Sequence, residues 1–262
     1  MSKATPFVKA TACGNDFLLI EQQYARAEEL VPWTKRICDR HYGVGADGVE
    51  WLSPDAAADV AIHLLNADGS KAEISGNGTR CVAAWLTEQR GKRELRIRTG
   101  AGVKTCSLVT NSDKSFEFRT AMGAPEVGGD LSVRLAQRAV AGISVSMGNP
   151  HFVMFVDEFA HEWQKEAAEI GALKQFEHGT NVELVKVVGP HEIEIRIFER
   201  GAGETESSGT GSCASAVASI FSRRVGSPVR VVSPGGPQTV EWEGEVFLTG
   251  PAQILCRGEF YF

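Results

Sequence analysis

The sequence has few cysteines, and they show none of the spacings that bind zinc or form redox pairs. Six cysteines are spread over 262 residues without a CxxC pair. A chain of this length buries enough apolar surface to fold without disulfides. We therefore expect reduced cysteines, no metal site and a reducing, cytoplasmic compartment.

Long apolar runs and clusters of one charge are also missing. No stretch approaches the roughly 18 apolar residues of a membrane-spanning helix, and the N-terminal stretch lacks the apolar core of a signal peptide. The 27 basic and 33 acidic residues are interspersed and leave a net charge of −6. This balance argues against nucleic acid and anionic membranes as partners, and it says little more about what the protein binds.

Glycine is abundant, and 28 glycines divide the chain into short segments. Alternating or apolar segments predict strands over 8–12, 17–21, 60–66, 95–98, 103–109, 116–119, 143–147, 152–156, 182–188, 193–198, 229–232, 239–242 and 246–249. Apolar residues at helical spacing predict helices over 33–41, 78–89, 163–173 and 211–223. Many strands with few scattered helices predict an α+β fold.

The two halves of the sequence repeat one pattern. Asn15, in a Gly-Asn dipeptide, precedes Ser75 by 60 residues, and Asn149, also in a Gly-Asn dipeptide, precedes Ser208 by 59 residues. A polar residue that ends a predicted strand stands nine residues before each serine: Asn66 and Glu199. The matched spacing predicts two similar domains that face each other, with a boundary near the polar stretch between residues 111 and 129.

Each serine is followed by Gly-x-Gly and an apolar helix. The start of a helix offers unpaired N–H groups and the positive end of the helix dipole, which suits a carboxylate or phosphate. Ser75 and Ser208 could instead be simple N-caps. One such segment alone favours the N-cap interpretation, whereas two in a repeated chain favour a ligand shared by the two halves.

Polar residues near the second serine suit an amino acid. Glu199 and Arg200 are adjacent and could hold its ammonium and carboxylate groups, or form only a surface ion pair. Asparagines at predicted strand ends add donors and acceptors, or serve as turn residues: Asn15, Asn66, Asn149 and Asn181. The GxGxxG run at 43–48 follows a helix instead of a strand, so we interpret it as a helix-exit turn and not as a dinucleotide site.

Seven segments of the chain resemble, in order and over nearly its whole length, those of the diaminopimelate epimerase family: GNDF, DRHYGVGADG, NADGS…SGNGTRC, VSMGNPHF, GTNVE, ERGAGET…SGTGSCA and LTGPA. The resemblance implies two pseudosymmetric halves, each a barrel-like, mainly antiparallel sheet around a central helix. We expect halves of 1–121 and 122–251, with 252–262 joining the first half and the active site in the cleft between them. It also implies a homodimeric isomerase of lysine biosynthesis that acts on an amino acid without pyridoxal phosphate, metal or other cofactor.

The resemblance also implies roles for individual residues. The family uses two cysteines on opposite faces of its substrate, and both positions are serine here, Ser75 and Ser208. His151 would assist proton transfer, and Cys81 and Cys213 would only pack. The substrate would be bound by Asn15, Asn66, Gly76, Asn77, Asn149, Asn181, Glu199, Arg200, Gly209 and Thr210.

The two serines leave three hypotheses open, because a serine hydroxyl is a far weaker acid than a thiol and needs its own base. The first is a diaminopimelate epimerase with serine at both positions. The second is a lyase or dehydratase, or a racemase of another amino acid, that uses the serine sites. The third is a non-catalytic amino-acid-binding homologue.

Overall fold

The computed structural model describes residues 4–136 and 138–262, which fall into two compact units. Unit 1 consists of Met1–Thr120 and Gly250–Phe262, and unit 2 consists of Ala121–Thr249. Within the described residues, no helix is both long enough and apolar enough to span a membrane.

Within the described residues, unit 1 contains the first eight strands, the end of the last strand of the chain and two helices. In chain order these are β1 (Ala4–Ala12), β2 (Asn15–Glu21), α1 (Leu30–Cys38), β3 (Gly48–Ser53), β4 (Val60–Asn66), β5 (Lys71–Ala72), α2 (Gly76–Arg90), β6 (Glu94–Thr99), β7 (Gly102–Ser112) and β8 (Ser115–Gly123). Strands β1 and β2 pair antiparallel, β2 and β3 parallel, and β3 and β4 antiparallel. Strand β4 then pairs with β5 antiparallel and with β6 parallel, and β6, β7 and β8 continue antiparallel.

Unit 2 repeats this order of elements. It contains β9 (Glu126–Arg134), β10 (Ala139–Ser146), β11 (Pro150–Phe155), α3 (Trp163–Gly171), β12 (Asn181–Gly189), β13 (Glu192–Glu199), β14 (Gly203–Thr205), α4 (Gly209–Phe221), β15 (Val229–Ser233), β16 (Gly236–Glu243) and the first part of β17 (Glu245–Tyr261). The parallel pairs are again two, β11 with β12 and β13 with β15, at the positions that β2–β3 and β4–β6 hold in unit 1. The last part of β17 pairs with β1 in unit 1.

Each unit encloses one central helix, α2 in unit 1 and α4 in unit 2. Both helices contain two glycines and at least two alanines among other small or apolar residues, and they are buried over most of their length. A helix that is buried on all sides must be apolar or small all round. The α+β fold with two barrel-like, mainly antiparallel halves around a central helix is thereby confirmed. Cys81 and Cys213 lie fully buried in the two cores, as expected.

The structure differs from the sequence prediction mainly where glycine weakens the local signal. Both central helices begin two residues before their predicted starts, because glycines with poor helix propensity form their first turns. The stretch from 111 to 129, in which the two units divide between Thr120 and Ala121, is mostly strand and not the polar linker that its composition suggests. Its last part, β9, is held by an antiparallel register with β10 that no local pattern reveals.

Candidate active site

The central helix of unit 1 starts at Ser75, which caps it. Ser75 has an extended backbone, and its Oγ accepts a hydrogen bond from Gly78 N at 3.0 Å. Because the first N–H groups of a helix have no partner within the helix, those of Gly76 and Asn77 remain for a ligand or a cap. The positive end of the helix dipole adds to their attraction for an anion.

The central helix of unit 2 starts in the same way. Ser208 has an extended backbone, and its Oγ accepts from Gly211 N at 3.2 Å, which leaves Gly209 and Thr210 in the equivalent positions. Both serines are therefore real N-caps. Capping uses one N–H group in each helix, so it is compatible with anion binding by the others.

Asn15 lies at the start of β2, where an ionic cluster holds its side chain. Asn15 Nδ2 donates to Asp47 Oδ2 at 2.5 Å, and Arg40 Nη2 donates to Asp47 Oδ1 at 2.8 Å. Arg40 also binds Asp16, whose other oxygen lies 2.9 Å from Lys9 Nζ. Burial raises the pKa of Asp16, but hydrogen bonds from Arg40 and Lys9 outweigh burial and hold that pKa below its usual value.

The glycine-rich segment 43–48 delivers Asp47 to this cluster. Gly43 N and Val44 N donate to backbone carbonyls at the end of α1, and Gly45 has a left-handed φ of +78°. This geometry confirms a helix-exit turn, because a dinucleotide loop would follow a strand. The sequence showed the turn but not that it orients Asn15.

The first turn of α2 also contacts Asn15. Asn77 Nδ2 donates to Asn15 Oδ1 at 3.4 Å, while Asn77 Oδ1 accepts from the fully buried Arg80 at 2.5 Å. Arg80 Nε in turn donates to the backbone oxygen of Pro251 at 3.2 Å. Because Arg80 occupies the amide oxygen of Asn77, the amide nitrogen faces Asn15. We refer to Asn15, Asp47, Ser75 and the first turn of α2 as half-site 1.

Unit 2 has a corresponding group with different chemistry. Asn149 Nδ2 donates to Thr210 Oγ1 at 3.4 Å, and Asn149 Oδ1 lies 3.0 Å from His151 Nε2. His151 Nδ1 lies 2.7 Å from Glu183 Oε1, and both side chains are completely buried. We refer to Asn149, His151, Glu183, Ser208 and the first turn of α4 as half-site 2. His151 therefore contacts Asn149 and Glu183 from a completely buried position.

The other residues of unit 2 that are predicted to bind substrate form hydrogen bonds within unit 2. Asn181 begins β12, donates to Pro150 O at 3.0 Å and accepts from Arg200 N at 2.9 Å. The exposed Arg200 guanidinium donates to His178 O at 2.8 Å, and Glu199 accepts from Thr205 Oγ1 at 3.3 Å. Asn181 therefore fixes the backbone that carries Arg200.

Asn66 is the predicted ligand whose observed bonds are those of a turn. It lies exposed at the end of β4, where its Nδ2 donates to Ser70 Oγ at 3.0 Å and its backbone N donates to Ser70 O. This geometry corresponds to the turn role that the sequence left open for the asparagines.

Sequence reasoning missed two buried glutamates, Glu50 on β3 and Glu183 on β12. Each is fully buried beside the start of a central helix. A Cβ built on Gly78 would lie 2.0 Å from Glu50 Oε1, and one built on Gly211 would lie 2.9 Å from Glu183 Oε1. Both stand 25 residues before the capping serine, each a lone carboxylate in an apolar strand. That repeated spacing was the available signal.

The close contact between Gly78 and Glu50 predicts the effect of Gly78→Ala. Alanine in place of a helical glycine normally stabilises a protein, but here the new methyl group would displace a buried carboxyl group. We expect a loss of about 1–3 kcal/mol in the free energy of unfolding, measured by urea denaturation.

Gly189→Ala is the matched control, since among the described residues, its two chain neighbours aside, no heavy atom lies within 4 Å of its Cβ position. It should change stability by less than about 1 kcal/mol. Adding Glu50→Asp, which shortens the acidic side chain, should restore part of the unfolding free energy that Gly78→Ala loses. A Gly78→Ala protein as stable as the parent would contradict the tight contact.

Known proteins resemble this chain over almost its full length. The sequence profile of the family described as diaminopimelate epimerase matches residues 7–127 and 143–255. The chain belongs to the diaminopimelate epimerase family. It is 37% identical to the diaminopimelate epimerase of Elusimicrobium minutum, with 97% of this chain and 98% of the relative covered. The corresponding protein of Pelotomaculum thermopropionicum is also 37% identical, with the same coverage. Membership in this family makes the chain an isomerase.

Solved structures share the fold at much lower sequence identity. A hydroxyproline epimerase from Agrobacterium vitis matches with a TM-score of 0.74 at 15% identity, covering 98% of this chain and 91% of the other. A phenazine biosynthesis protein of the PhzF family from Bacillus anthracis matches with a TM-score of 0.73 at 14% identity, covering 99% of this chain and 100% of the other. At such identities these matches support the diaminopimelate epimerase fold alone.

Proposed function

We propose that this family member is a cofactor-independent epimerase of diaminopimelate or a closely similar amino acid. The observation that carries the proposal is the repeated helix start. Ser75 and Ser208 cap their helices in the same way, and each is followed by a glycine-flanked turn with N–H groups that suit a carboxylate. We propose that both half-sites act on one substrate.

The substrate contacts follow from the chemistry of the predicted residues. The N–H groups of both helix starts would take the α-carboxylate and stabilise charge that develops at the α-carbon. Glu199 would take the α-ammonium group. The distal part would meet the neutral and cationic side chains of Asn15, Asn66, Asn149, Asn181 and Arg200. The ionic cluster around Asp47 supports this assignment for Asn15, because a fixed amide loses little entropy on binding.

Ser75 and Ser208 would occupy the two acid–base positions. Epimerisation removes the α-proton on one face and returns a proton on the other, so it needs one group on each side. A serine hydroxyl is a poor base by itself, so we expect the reaction to be slow. His151 would assist by orienting half-site 2 from its buried position.

The test is incubation with LL- and with meso-diaminopimelate in deuterated water, followed by measurement of α-deuterium and of configuration. Inversion with label is the expected result. Exchange without inversion would indicate one working face. Release of ammonia or water would replace the proposal with a lyase, and binding without exchange would replace it with an amino-acid-binding protein.

A further inference from the structure

The two central helices differ at one buried position close to their starts. Arg80 stands five residues after Ser75, and Cys213 stands five residues after Ser208. Both side chains are fully buried. The repeat therefore places a permanent positive charge one turn into α2, where α4 has a small thiol.

Among the described residues, the guanidinium of Arg80 forms hydrogen bonds but no ion pair with a carboxylate. Nη2 donates to Asn77 Oδ1 at 2.5 Å and lies 3.9 Å from Cys13 Sγ, and Nε donates to the backbone oxygen of Pro251 at 3.2 Å. Nη1 has no hydrogen-bond partner there. A buried cation without a carboxylate lowers the free energy of unfolding. Since the fold accommodates a thiol at the equivalent position of unit 2, stability does not explain the arginine.

Arg80 determines which end of the Asn77 amide is available at the start of the helix. A guanidinium can only donate, so it holds the amide oxygen of Asn77. An asparagine oxygen near a helix start otherwise accepts readily from the backbone N–H groups there, in competition with a bound anion. Because Arg80 holds that oxygen, the amide nitrogen of Asn77 is the end that contacts Asn15, at 3.4 Å.

The hydrogen-bond chain keeps the same direction as far as Asp47. Asn15 accepts from Asn77 with its oxygen and donates with its nitrogen to the carboxylate of Asp47 at 2.5 Å. A carboxylate can only accept, so Asp47 holds Asn15 in the same sense from the other side. A donor at one end and an acceptor at the other thus fix how both amides are turned.

We propose that Arg80 is a positioning residue that makes the start of α2 a carboxylate site. It keeps the oxygen of Asn77 from competing for the N–H groups of the first turn. Its buried positive charge also adds to the attraction that the positive end of the helix dipole exerts on an anion. The inference rests on the proposed function, which supplies the carboxylate, and it assigns to Arg80 a role behind the residues that touch the substrate.

The first test compares Arg80→Lys with Arg80→Gln. Lysine keeps a cation that can only donate, whereas glutamine is neutral and can turn its oxygen towards Asn77, so that the Asn77 amide can reverse. Titration calorimetry with LL- and with meso-diaminopimelate should show affinity lowered about tenfold or more by Arg80→Gln and less than about threefold by Arg80→Lys. Since the carboxylate is held both before and during the reaction, Arg80→Gln should raise KM while kcat changes little.

Urea denaturation separates this role from a purely structural one. A buried lysine costs more than a neutral glutamine, so Arg80→Lys should be no more stable than Arg80→Gln, the opposite of their order in affinity. Arg98→Gln makes the same change on β6, where Arg98 is paired with Asp55, and should leave affinity unchanged. Arg80→Met removes the polar head altogether, so the comparison does not depend on one variant folding. Equal losses of affinity in Arg80→Lys and Arg80→Gln would overturn the inference.

A thiol introduced by Ser75→Cys reads the same helix start without substrate. Its pKa is obtained from the pH dependence of alkylation by iodoacetamide, followed by mass spectrometry of the peptide. In that background Arg80→Gln should raise the pKa of the thiol by about one, because a nearby cation favours the thiolate, and Arg98→Gln should not change it. An unchanged pKa with Arg80→Gln would also overturn the inference. If the pKa rises but the parent does not bind diaminopimelate, the proposed function fails and the role of Arg80 stands.

Discussion

Replacing both capping serines with cysteine should accelerate exchange of the α-proton of diaminopimelate by at least about 100-fold. A thiol has an ordinary pKa near 8.5, and a helix N-terminus lowers that value, so the double variant Ser75→Cys/Ser208→Cys would present thiolates. The same N–H groups that now bind the serine oxygens, Gly78 N and Gly211 N, would stabilise those thiolates. Positioned acid–base groups contribute about 10²–10⁴-fold to enzymatic rates. The rate is measured by mass spectrometry of deuterium uptake.

The single variants and one distant cysteine control this result. Each single replacement should help one face only, so inversion should increase less than in the double variant. Ser222→Cys adds a thiol at the other end of α4, where the dipole is negative, and it should leave exchange unchanged. A folded double variant that is inert on both stereoisomers would show that the substrate assignment is wrong.

Replacing Glu50 with glutamine should change how stability depends on pH. The pKa of Glu50 is about 8 in the folded chain, against 4.5 for an ordinary glutamate. The native state therefore holds a proton that the unfolded chain loses between these values. The stabilisation that this proton contributes is fully present below pH 4.5 and is lost as pH rises towards 8. Since one pKa unit corresponds to about 1.4 kcal/mol, the loss amounts to several kcal/mol.

Glu50→Gln is neutral at every pH and removes this loss. We expect the parent and the variant to be similarly stable near pH 5, and the variant to be the more stable at pH 8 and above. Urea denaturation at intervals from pH 5 to pH 9 measures the difference. The exposed Glu245→Gln removes a charge without touching a buried site, so it should leave the slope unchanged. If Glu50→Gln does not change the pH dependence of the unfolding free energy, the parent already tolerates a charged Glu50.

Local signals were sufficient for the elements that carry the half-sites. Ser75 and Ser208 cap their helices because serine followed by glycine and then an apolar run is a strong helix start. The strands around them alternate polar and apolar residues or are wholly apolar, and this pattern can be read without knowing which strands pair. Strand β9 was hidden, since its two glycines and exposed residues resemble a linker until β10 supplies the register.

The contacts within the half-sites needed the fold. Asp47 reaches Asn15 across 32 residues, and Glu183 reaches His151 across 32 residues, because parallel strands bring their starts together. The sequence placed His151 as a possible proton carrier, but only the packed unit shows that it is completely buried. Likewise, only the strand register shows that Phe17 holds the position in unit 1 that His151 holds in unit 2.

The sequence by itself determined the family, the repeat and the two capping serines, since these depend on residue type and spacing along the chain. The tertiary structure decided which carboxyl groups stand behind those serines and how they differ. Burial raises the pKa of Glu50 and of Glu183, and the hydrogen bond with His151 acts against that rise at Glu183 alone. Both arise from residues far apart in sequence that meet only when the strands pair around the central helices.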